Sequence, residues 1–562
     1  MLSKPFVEEL IEFVKEEQPQ KPALTQHKKA LAKKHGLKVI PSDIAIMTSL
    51  SQEERLFMKS FLQTKPVRTG SGVTVVAVMT KPMRCPHGKC TYCPGGPGSA
   101  FGDVPQSYTG HEPASMRGAR ADYDAYVQVF TRLEQYVVSG HNPEKVELIL
   151  MGGTFTSYPQ EYQDEVIADV YSAMNDFSTL FYNDKGEFLF EDFKEFFELP
   201  GSIHDKERTD KVYKKAFLLK DKSNRDITSA QKINEQARIR CIGLTIETRP
   251  SHAKKEHALL MLEQGCTRVE LGVQTTFDEV LTKVHRDHTL QDSIDSIADL
   301  RDLGFKLNFH MMLGLPLMNP ARDKEAITRI FSDPAFRPDM VKIYPCMVME
   351  GTPLYYEYQQ GTYEPYSTAL AASLIAEWAP LFPEWVRVMR VQRDIPTKMT
   401  KAGVDRTNLR QYVDQEMDKT KSVFRDIRAR EINKRPINDY ELRVTEYDAS
   451  GGKEFFIQVV EKNCDGLIGF CRLRFPSRTL HPAVTPTSAI IRELHVYGKA
   501  VGVGKPGEQQ HKGFGKQLME RAEAICKEYG KDKLLVISGV GVREYYKRLG
   551  YEQAGPYVAK NI

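Results

Sequence analysis

Cysteine is scarce. The 562 residues hold nine, an odd number, which excludes a disulfide-built scaffold and points to a reducing compartment, the cytoplasm. Long apolar runs are missing too. The longest nearly uncharged stretch, Thr368 to Phe382, is broken by Glu377 and Pro380 and is too short to span a bilayer. The N-terminal MLSKPFVEELIEF carries acids within its apolar pattern and lacks a small-residue cleavage site, so no signal peptide is expected. Neither charge dominates: 78 Lys+Arg against 74 Asp+Glu leave +4, which excludes a strongly basic nucleic-acid tail but not local basic patches. Internal repeats, low-complexity tracts and heptad runs are also absent. What is present, 41% apolar residues in a chain of this length, suits three or four folded domains and excludes wholesale disorder.

Three textures follow one another. Residues 1–72 have helix-period apolar positions in FVEELIEFVKEE and ERLFMKSFLQ. Between these lie Lys28, Lys29, Lys33, Lys34 and Lys38 with no acid among them, either a solvated helix face or a phosphate-contacting surface. From residue 73 to 386, the runs VTVVAVMT, VELILMGG, IRCIGLTIE, RVELGVQT, KLNFHMMLG and MVKIYPC alternate with helical segments. That order predicts a parallel sheet of βαβ units, a barrel or partial barrel with its functional groups at the strands' carboxyl ends. About sixty mostly polar residues after Pro159 read as an insertion, with a mobile basic end, KERTDKVYKKAFLLKDKSNR. Residues 387–436 form a basic linker, with 14 Lys/Arg against 7 Asp/Glu between Arg387 and Arg435. Residues 437–562 begin β-rich and contain one long helix after Gly513.

The chemistry is concentrated in RCPHGKCTYCPGG, where Cys85, Cys90 and Cys93 are spaced C-x4-C-x2-C directly after the first strand. Three soft thiolates in a tight loop suit a [4Fe–4S] cluster with one iron left open. A structural zinc with His87 as fourth ligand is the alternative, although zinc favours paired C-x2-C knuckles and no second one exists. Successive strands end in Gly152-Gly153-Thr154, Glu247-Thr248-Arg249-Pro250, Gly272-Val273-Gln274-Thr275 and Gly314-Leu315-Pro316, one polar or glycine feature each. Near the other terminus Gln510-x-x-Gly513-x-Gly515 lies between a strand and a helix, an anion cradle suited to a pyrophosphate. Tyr545-Tyr546-x-x-Leu549-Gly550-Tyr551 follows the next strand.

In this order the strand-end motifs resemble the radical S-adenosylmethionine superfamily, and the C-terminal motifs resemble the GNAT acetyltransferase fold. The implied architecture is α/β: a partial TIM-barrel-like radical S-adenosylmethionine domain, then a GNAT acetyltransferase domain, with a helical N-terminal region. The first resemblance implies that the open iron chelates S-adenosylmethionine and that one-electron reduction yields a 5′-deoxyadenosyl radical. It places Tyr92 against the adenine, Gly152 and Gly153 near the methionine amine, and Gln274 at the ribose. The extra residue in C-x4-C-x2-C departs from the superfamily's usual C-x3-C-x2-C and marks a subfamily.

RCPHGKCTYCPGG, VELILMGGTF, ELHVYG, QHKGFG and VISGVGVREYYKRLGY together are similar to the Elongator catalytic-subunit family, from about residue 70 to the C-terminus, in its stand-alone archaeal or bacterial form. That resemblance implies modification of the wobble uridine of tRNA towards 5-carboxymethyluridine. The tRNA anticodon stem-loop is the implied partner and acetyl-CoA the implied acyl donor. A radical taken from the acetyl methyl group could add at C5 of uracil, a poor nucleophile, and form a C–C bond that ordinary acetyl transfer cannot. Acetyl-CoA contacts are implied at Glu493, Leu494, His495, Val496, Phe514, Gly515, Lys516 and Tyr546, and at Lys145, which rests on the family match alone. Tyr546 and Lys145 are the implied catalytic residues. The linker stretch SVFRDIRAREI lacks the extra cysteines of some relatives, so no zinc is expected there. Candidate tRNA contacts are Lys28, Lys29, Lys33 and Lys34, with Arg387, Arg390, Arg393, Lys398 and Lys401 in the linker. The rival reading is a protein lysine acetyltransferase whose iron–sulfur region is only structural. Homodimerisation and accessory subunits stay open.

Overall fold

The computed structural model describes residues 2–65, 69–201, 205–222, 226–433, 435–498 and 513–562. The chain divides into two compact units, one of residues 1–76, 124–147 and 165–241, the other of 77–123, 148–164 and 242–562. Among the described residues no helix is long and apolar enough to cross a membrane.

The first unit is helical. Helices α1 (Lys4–Glu17) and α2 (Lys21–Lys34) each carry proline in the first turn, where its missing N–H costs nothing. Helices α3 (Asp43–Ser49) and α4 (Gln52–Leu62) are capped by Ser42 and Ser51, the latter in a reciprocal capping box with Glu54. Their apolar stripes bury Phe6, Leu10, Val14, Leu31, Ile46 and Met58 in one core. Helix α5 (Ala125–Val138) and the body of α6 (Gln160–Phe181) share a second core rich in phenylalanine, with Phe177 and Phe181 rings 4.7 Å apart. Residues 206–222 of the basic segment expected to be mobile instead form helix α7 (Lys206–Lys222), and 223–225 lie outside the described residues. Arg208 forms a buried ion pair with Glu134, and Lys220 Nζ lies 2.5 Å from Asp124 and 2.7 Å from Asp169. Composition hid this, because each of these cations has its acid in a distant segment.

Two seven-stranded sheets lie mainly in the second unit. The first has the strand order β1 (Thr74–Met79), β2 (Lys145–Met151), β3 (Arg240–Thr248), β4 (Arg268–Gln274), β5 (Lys306–Leu313), β6 (Met340–Pro345) and β7 (Arg387–Arg390). Neighbours from β3 to β7 run parallel, a half-barrel as expected. Its seventh strand, RVMR, opens the stretch read as a linker. Its basic residues conceal a strand defined only by pairing with β6.

The second sheet has the order β8 (Tyr440–Ala449), β9 (Gly452–Glu461), β10 (Gly466–Phe475), β11 (Ser488–Val496), β12 (Lys533–Val536), β14 (Tyr557–Asn561) and β13 (Glu552–Ala554). Helix α8 (Phe514–Glu528) buries Phe514, Leu518, Ala522 and Ile525 against it, and the short α9 (Arg543–Lys547) adds Tyr546.

A buried ionic seam joins the two sheets. Arg492 Nη2 lies 2.6 Å from Asp339 and 2.9 Å from Glu454, while Arg474 reaches Glu454 at 2.9 Å and also pairs with Asp302. Arg472 bonds Glu493 at 2.9 Å and lies 3.4 Å from Asp339, and Arg301 lies 3.4 Å from Glu454. These four arginines face Asp302, Asp339, Glu454 and Glu493, so the charges cancel. Such a seam is tolerable only when every ion is partnered.

Candidate functional site

The cysteine loop follows β1 and opens into a cleft of ≈ 1050 Å³ at the carboxyl ends of the parallel strands. Cys85, Cys90 and Cys93 all line it, with Tyr92, Gly153, Thr154 and Gln274. The loop is tied by bonds from Gly88 N to Cys85 O (2.9 Å) and from Cys93 N to Cys90 O (3.0 Å). Ser107 N donates to Cys93 Sγ at 3.3 Å, and Arg286 Nη1 lies 3.7 Å from Cys90 Sγ. Burial raises the Cys93 thiol to about 11, with Cys90 adding to it, and burial also raises Cys85. Thiols held this far from ionisation need a soft cation to become thiolates.

His87 Nε2 sits 3.3 Å from Cys90 Sγ. Burial and the neighbouring Arg249 and Arg286 lower its imidazole to about 4. One tetrahedral zinc, with Zn–S bonds of about 2.3 Å, would draw its sulfurs to roughly 3.8 Å from each other. Among the described residues only Glu247, Glu270 and His310 bring three potential ligand atoms within 4.8 Å of one another. The three cysteine sulfurs are thus not all within 4.8 Å of one another. The Tyr92 hydroxyl, buried with no hydrogen-bond partner among the described residues, belongs to a residue that lines the same cleft. A bound polar molecule there would satisfy it.

The glycines at the strand ends have steric reasons. A Cβ on Gly152 would lie 2.2 Å from Thr80 Oγ1, and one on Gly272 would lie 2.2 Å from Arg286 Nη2. Both make room for protein side chains, as does Gly153, whose Cβ would stand 3.0 Å from Gln106 Cβ; Gly153 and Gly272 also line the cleft. Gln274 ends β4 at φ 70°, a left-handed conformation that aims its buried side chain into the cleft.

Below the cysteines the half-barrel is polar. Glu247 (β3), Glu270 (β4), His310 (β5), and Lys342 and Tyr344 (β6) line the same cleft. Glu270 accepts from His310 Nε2 at 2.8 Å and from Asn308 at 3.2 Å, and it pairs with Lys342. Burial works against its charge, but Lys342 and His310 hold Glu270 well below the ordinary carboxylate range. Burial and the Glu270 charge instead push Glu247 up to about 7. Sequence reasoning gave Glu270, His310 and Lys342 no role. Their signal was a charged residue inside each of three apolar strand runs, where a barrel interior normally stacks branched aliphatics.

The residues expected to contact acetyl-CoA lie toward the other end of the strands. β11 pairs with β12 only from Ser488 to Ile491. Beyond it, Glu493, Leu494, His495 and Val496 stay paired with β10 but have no strand partner on the other side among the described residues. That free edge can accept a peptide-like arm such as pantetheine. Phe514, Gly515 and Lys516 begin α8: Phe514 is buried, a Cβ on Gly515 would meet Tyr545 Oη at 3.0 Å, and Lys516 is exposed near Glu520. Gln510 lies outside the described residues. Tyr546 is buried, and burial first, then Tyr545, raises its phenol above the ordinary range. Glu493 is held down despite burial, by Lys306 and Arg472. Since Lys306 opens β5 and Asp339 precedes β6, this edge faces the amino ends of the parallel strands. The floor of the cysteine cleft is nearer than a whole strand, since Lys342, which lines it, stands three residues after Asp339. Lys145 opens β2, six residues before the Met151 that lines the cleft, and burial lowers its ammonium.

The basic candidates differ. Lys28 is buried with Nζ 2.5 Å from Asp43, and Lys34 pairs with Glu9 at 2.6 Å. Lys29 and Lys33 are exposed and form no ion pair among the described residues. Arg387 pairs with Glu431 and bonds Tyr497 at 2.9 Å; Lys401 pairs with Glu350 at 2.8 Å; Lys398 is exposed. Arg390 and Arg393 line the cysteine cleft, the first paired with Asp394, the second donating to Ser107 O at 2.6 Å.

Comparison with known proteins agrees with this layout. Residues 3–70 match the ELP3 N-terminal domain, 80–329 the radical SAM superfamily, 338–419 the radical SAM C-terminal domain and 421–551 the acetyltransferase (GNAT) family. Radical SAM and GNAT domains imply S-adenosylmethionine, an iron–sulfur cluster and acetyl-CoA. The tRNA uridine(34) acetyltransferase of Methanocaldococcus jannaschii is 42% identical over 93% of this chain and 90% of its own length. Elongator complex protein 3 of Homo sapiens is 39% identical over 96% of this chain and 93% of its own. The solved structure of Methanocaldococcus infernus Elp3 lacking its N-terminus superposes with a TM-score of 0.70 at 35% identity, over 88% of this chain and all of that one. With such identity along nearly its whole length, the chain belongs to the family of Elongator complex protein 3 and the tRNA uridine(34) acetyltransferases.

Proposed function

We propose that this chain is a cytoplasmic acyltransferase that modifies the wobble uridine of tRNA, using acetyl-CoA to carboxymethylate C5. The observation that carries the reading is the pairing, within one compact unit, of a three-cysteine cleft and an open acyl-CoA strand edge across a shared ionic seam. Cys85, Cys90 and Cys93 would hold a [4Fe–4S] cluster, and Tyr92, Gly153 and Gln274 would contact S-adenosylmethionine. Together these groups would supply a 5′-deoxyadenosyl radical able to take hydrogen from the acetyl methyl group. The chain's own work is placement. The free edge Glu493–Val496, with Gly515 and Tyr546, orients the acyl arm, and the cleft excludes water around the reacting base. Lys145 is retained as an acetyl-CoA contact on family resemblance. The four-part division at residues 72, 386 and 436 belongs to the same reading, except that β7 carries the half-barrel past 386.

The names of the relatives support tRNA as partner. Exposed Lys29, Lys33 and Lys398 would meet phosphate, and Arg390 and Arg393 the nucleotide entering the cleft. The test is anaerobic reconstitution with tRNA, acetyl-CoA and S-adenosylmethionine, followed by mass spectrometry of tRNA nucleosides. Carboxymethyluridine at the wobble position is expected. Acetylated protein lysine without any 5′-deoxyadenosine would favour the rival acetyltransferase reading.

A further inference from the structure

The polar layer inside the half-barrel is not required by the fold. Burying two carboxylates and an ammonium costs several kcal/mol per ion before pairing, and an aliphatic layer would pack the same space. The layer is also only partly used. Glu247 makes one hydrogen bond, accepting from Tyr108 Oη at 3.0 Å; its other oxygen makes none among the described residues and the residue lines the cleft. Lys342 has one acceptor among the described residues, Glu270. Tyr344 contributes a hydroxyl beside them and packs its ring on His310, centroids 5.4 Å apart. Acceptor and donors thus come from β3 and β6, with Glu270 of β4 and His310 of β5 between them, and converge beneath the cysteines.

A cation is not what this cluster is built for. Although Glu247, Glu270 and His310 bring ligand atoms within 4.8 Å, the Lys342 ammonium already occupies the carboxylate side. The complementary ligand is uncharged and planar, with an N–H flanked by carbonyls. Arg390 and Arg393 on the rim of the same cleft suit the phosphate that would accompany such a base into a pocket.

We infer that this layer holds the target base itself: Glu247 accepts the imide N–H of uracil, while Lys342, fixed by Glu270 and His310, donates to a ring carbonyl. The assignment rests on the tRNA-modifying reading above and adds the residues that read the base. An acceptor at Glu247 opposes cytosine, whose N3 is itself an acceptor, so the layer selects uracil.

The test uses the full-length holoenzyme bound to an anticodon stem-loop RNA with uridine at the wobble position. A water-soluble carbodiimide that reacts at uridine N3 reports whether that edge is covered, with no turnover needed. In the wild-type complex this uridine should be protected while other loop uridines react. In Glu247→Gln and in the double variant Glu270→Gln/Lys342→Met, which removes both charges of the pair together, its reactivity should rise about tenfold, the scale of one hydrogen bond to a charged group. The RNA should remain bound through its phosphates. Discrimination of uridine over N3-methyluridine at that position should shrink in parallel. A reactive base in the wild-type complex, or full protection in both variants, overturns the assignment. Mass spectrometry separates the two readings. Uridine modified by the wild type, with protection unchanged in the variants, sinks the base-holding layer alone. Protection that depends on the layer, with no modified nucleoside formed, keeps the layer and sinks the reaction.

Discussion

Arg472 and Glu493 are cross-strand partners, Nε to Oε2 at 2.9 Å, and a β-bulge lies beside them. Register runs from Leu473 opposite Ile491 to Arg472 opposite Glu493, so Arg492 is the extra residue. A bulge re-aims its side chain, and here Arg492 points at Asp339, the residue that leads into β6. The same irregularity falls where β11 leaves β12. One local feature therefore frees this edge of β11 and anchors it to the half-barrel.

Asp339 accepts from Arg492 at 2.6 and 2.8 Å, so Asp339→Asn leaves buried guanidinium charge uncompensated. The expected cost is about 3–5 kcal/mol, read as a lower urea midpoint. Burial raises Asp339 and Glu454, yet Arg492 and its neighbours outweigh it and hold both below their ordinary values. Depressed carboxylates stabilise above their unfolded pKa near 4 and lose that contribution as pH falls through the folded value. Between about pH 5 and 3 the wild-type midpoint should therefore fall more steeply than that of Asp339→Asn. Parallel curves would show that the seam does not titrate with folding.

Replacing Cys85, Cys90 or Cys93 with Ser exchanges a soft thiolate for a poorly ionised hydroxyl. Iron content and the visible absorption band should fall together in each variant. Wild-type iron in any one of the three would remove that residue from the ligand set.

These cysteines were legible in the sequence because their spacing is local and sits after a readable strand. So were the alternation that built the half-barrel and the glycine-rich start of α8. The polar layer was not, because Glu270, His310 and Lys342 lie about 30–40 residues apart and each looks like a lone polar residue in an apolar run. Only strand register, with Glu270 opposite Asn308 and His310 opposite Lys342, puts them together. Arg387 and Lys28 misled for the converse reason: a cation's partner, Glu431 or Asp43, is invisible until the chain folds.

Gly515 has Tyr545 Oη 3.0 Å from where a Cβ would stand. Gly515→Val must displace that tyrosine and block backbone approach at the helix start, so acetyl-CoA affinity should drop about tenfold or more by calorimetry. Affinity for tRNA should stay within about twofold, because phosphate contacts dominate it. Equal loss of both ligands would indicate a folding defect instead.

The basic candidates now divide by exposure. Lys29, Lys33 and Lys398 are exposed, whereas Lys28 spends its charge on Asp43 inside the helical unit. Each phosphate that is no longer neutralised should lower the slope of log affinity against log salt by somewhat under about one unit. Reversing Lys29, Lys33 and Lys398 to Glu should therefore weaken tRNA binding across sequences and flatten the slope by about two units. Lys28→Met should leave the slope alone and instead lower thermal stability, since Asp43 loses its buried partner. A flattened slope in Lys28→Met with none in the triple variant would place the RNA on a different face of the helical unit.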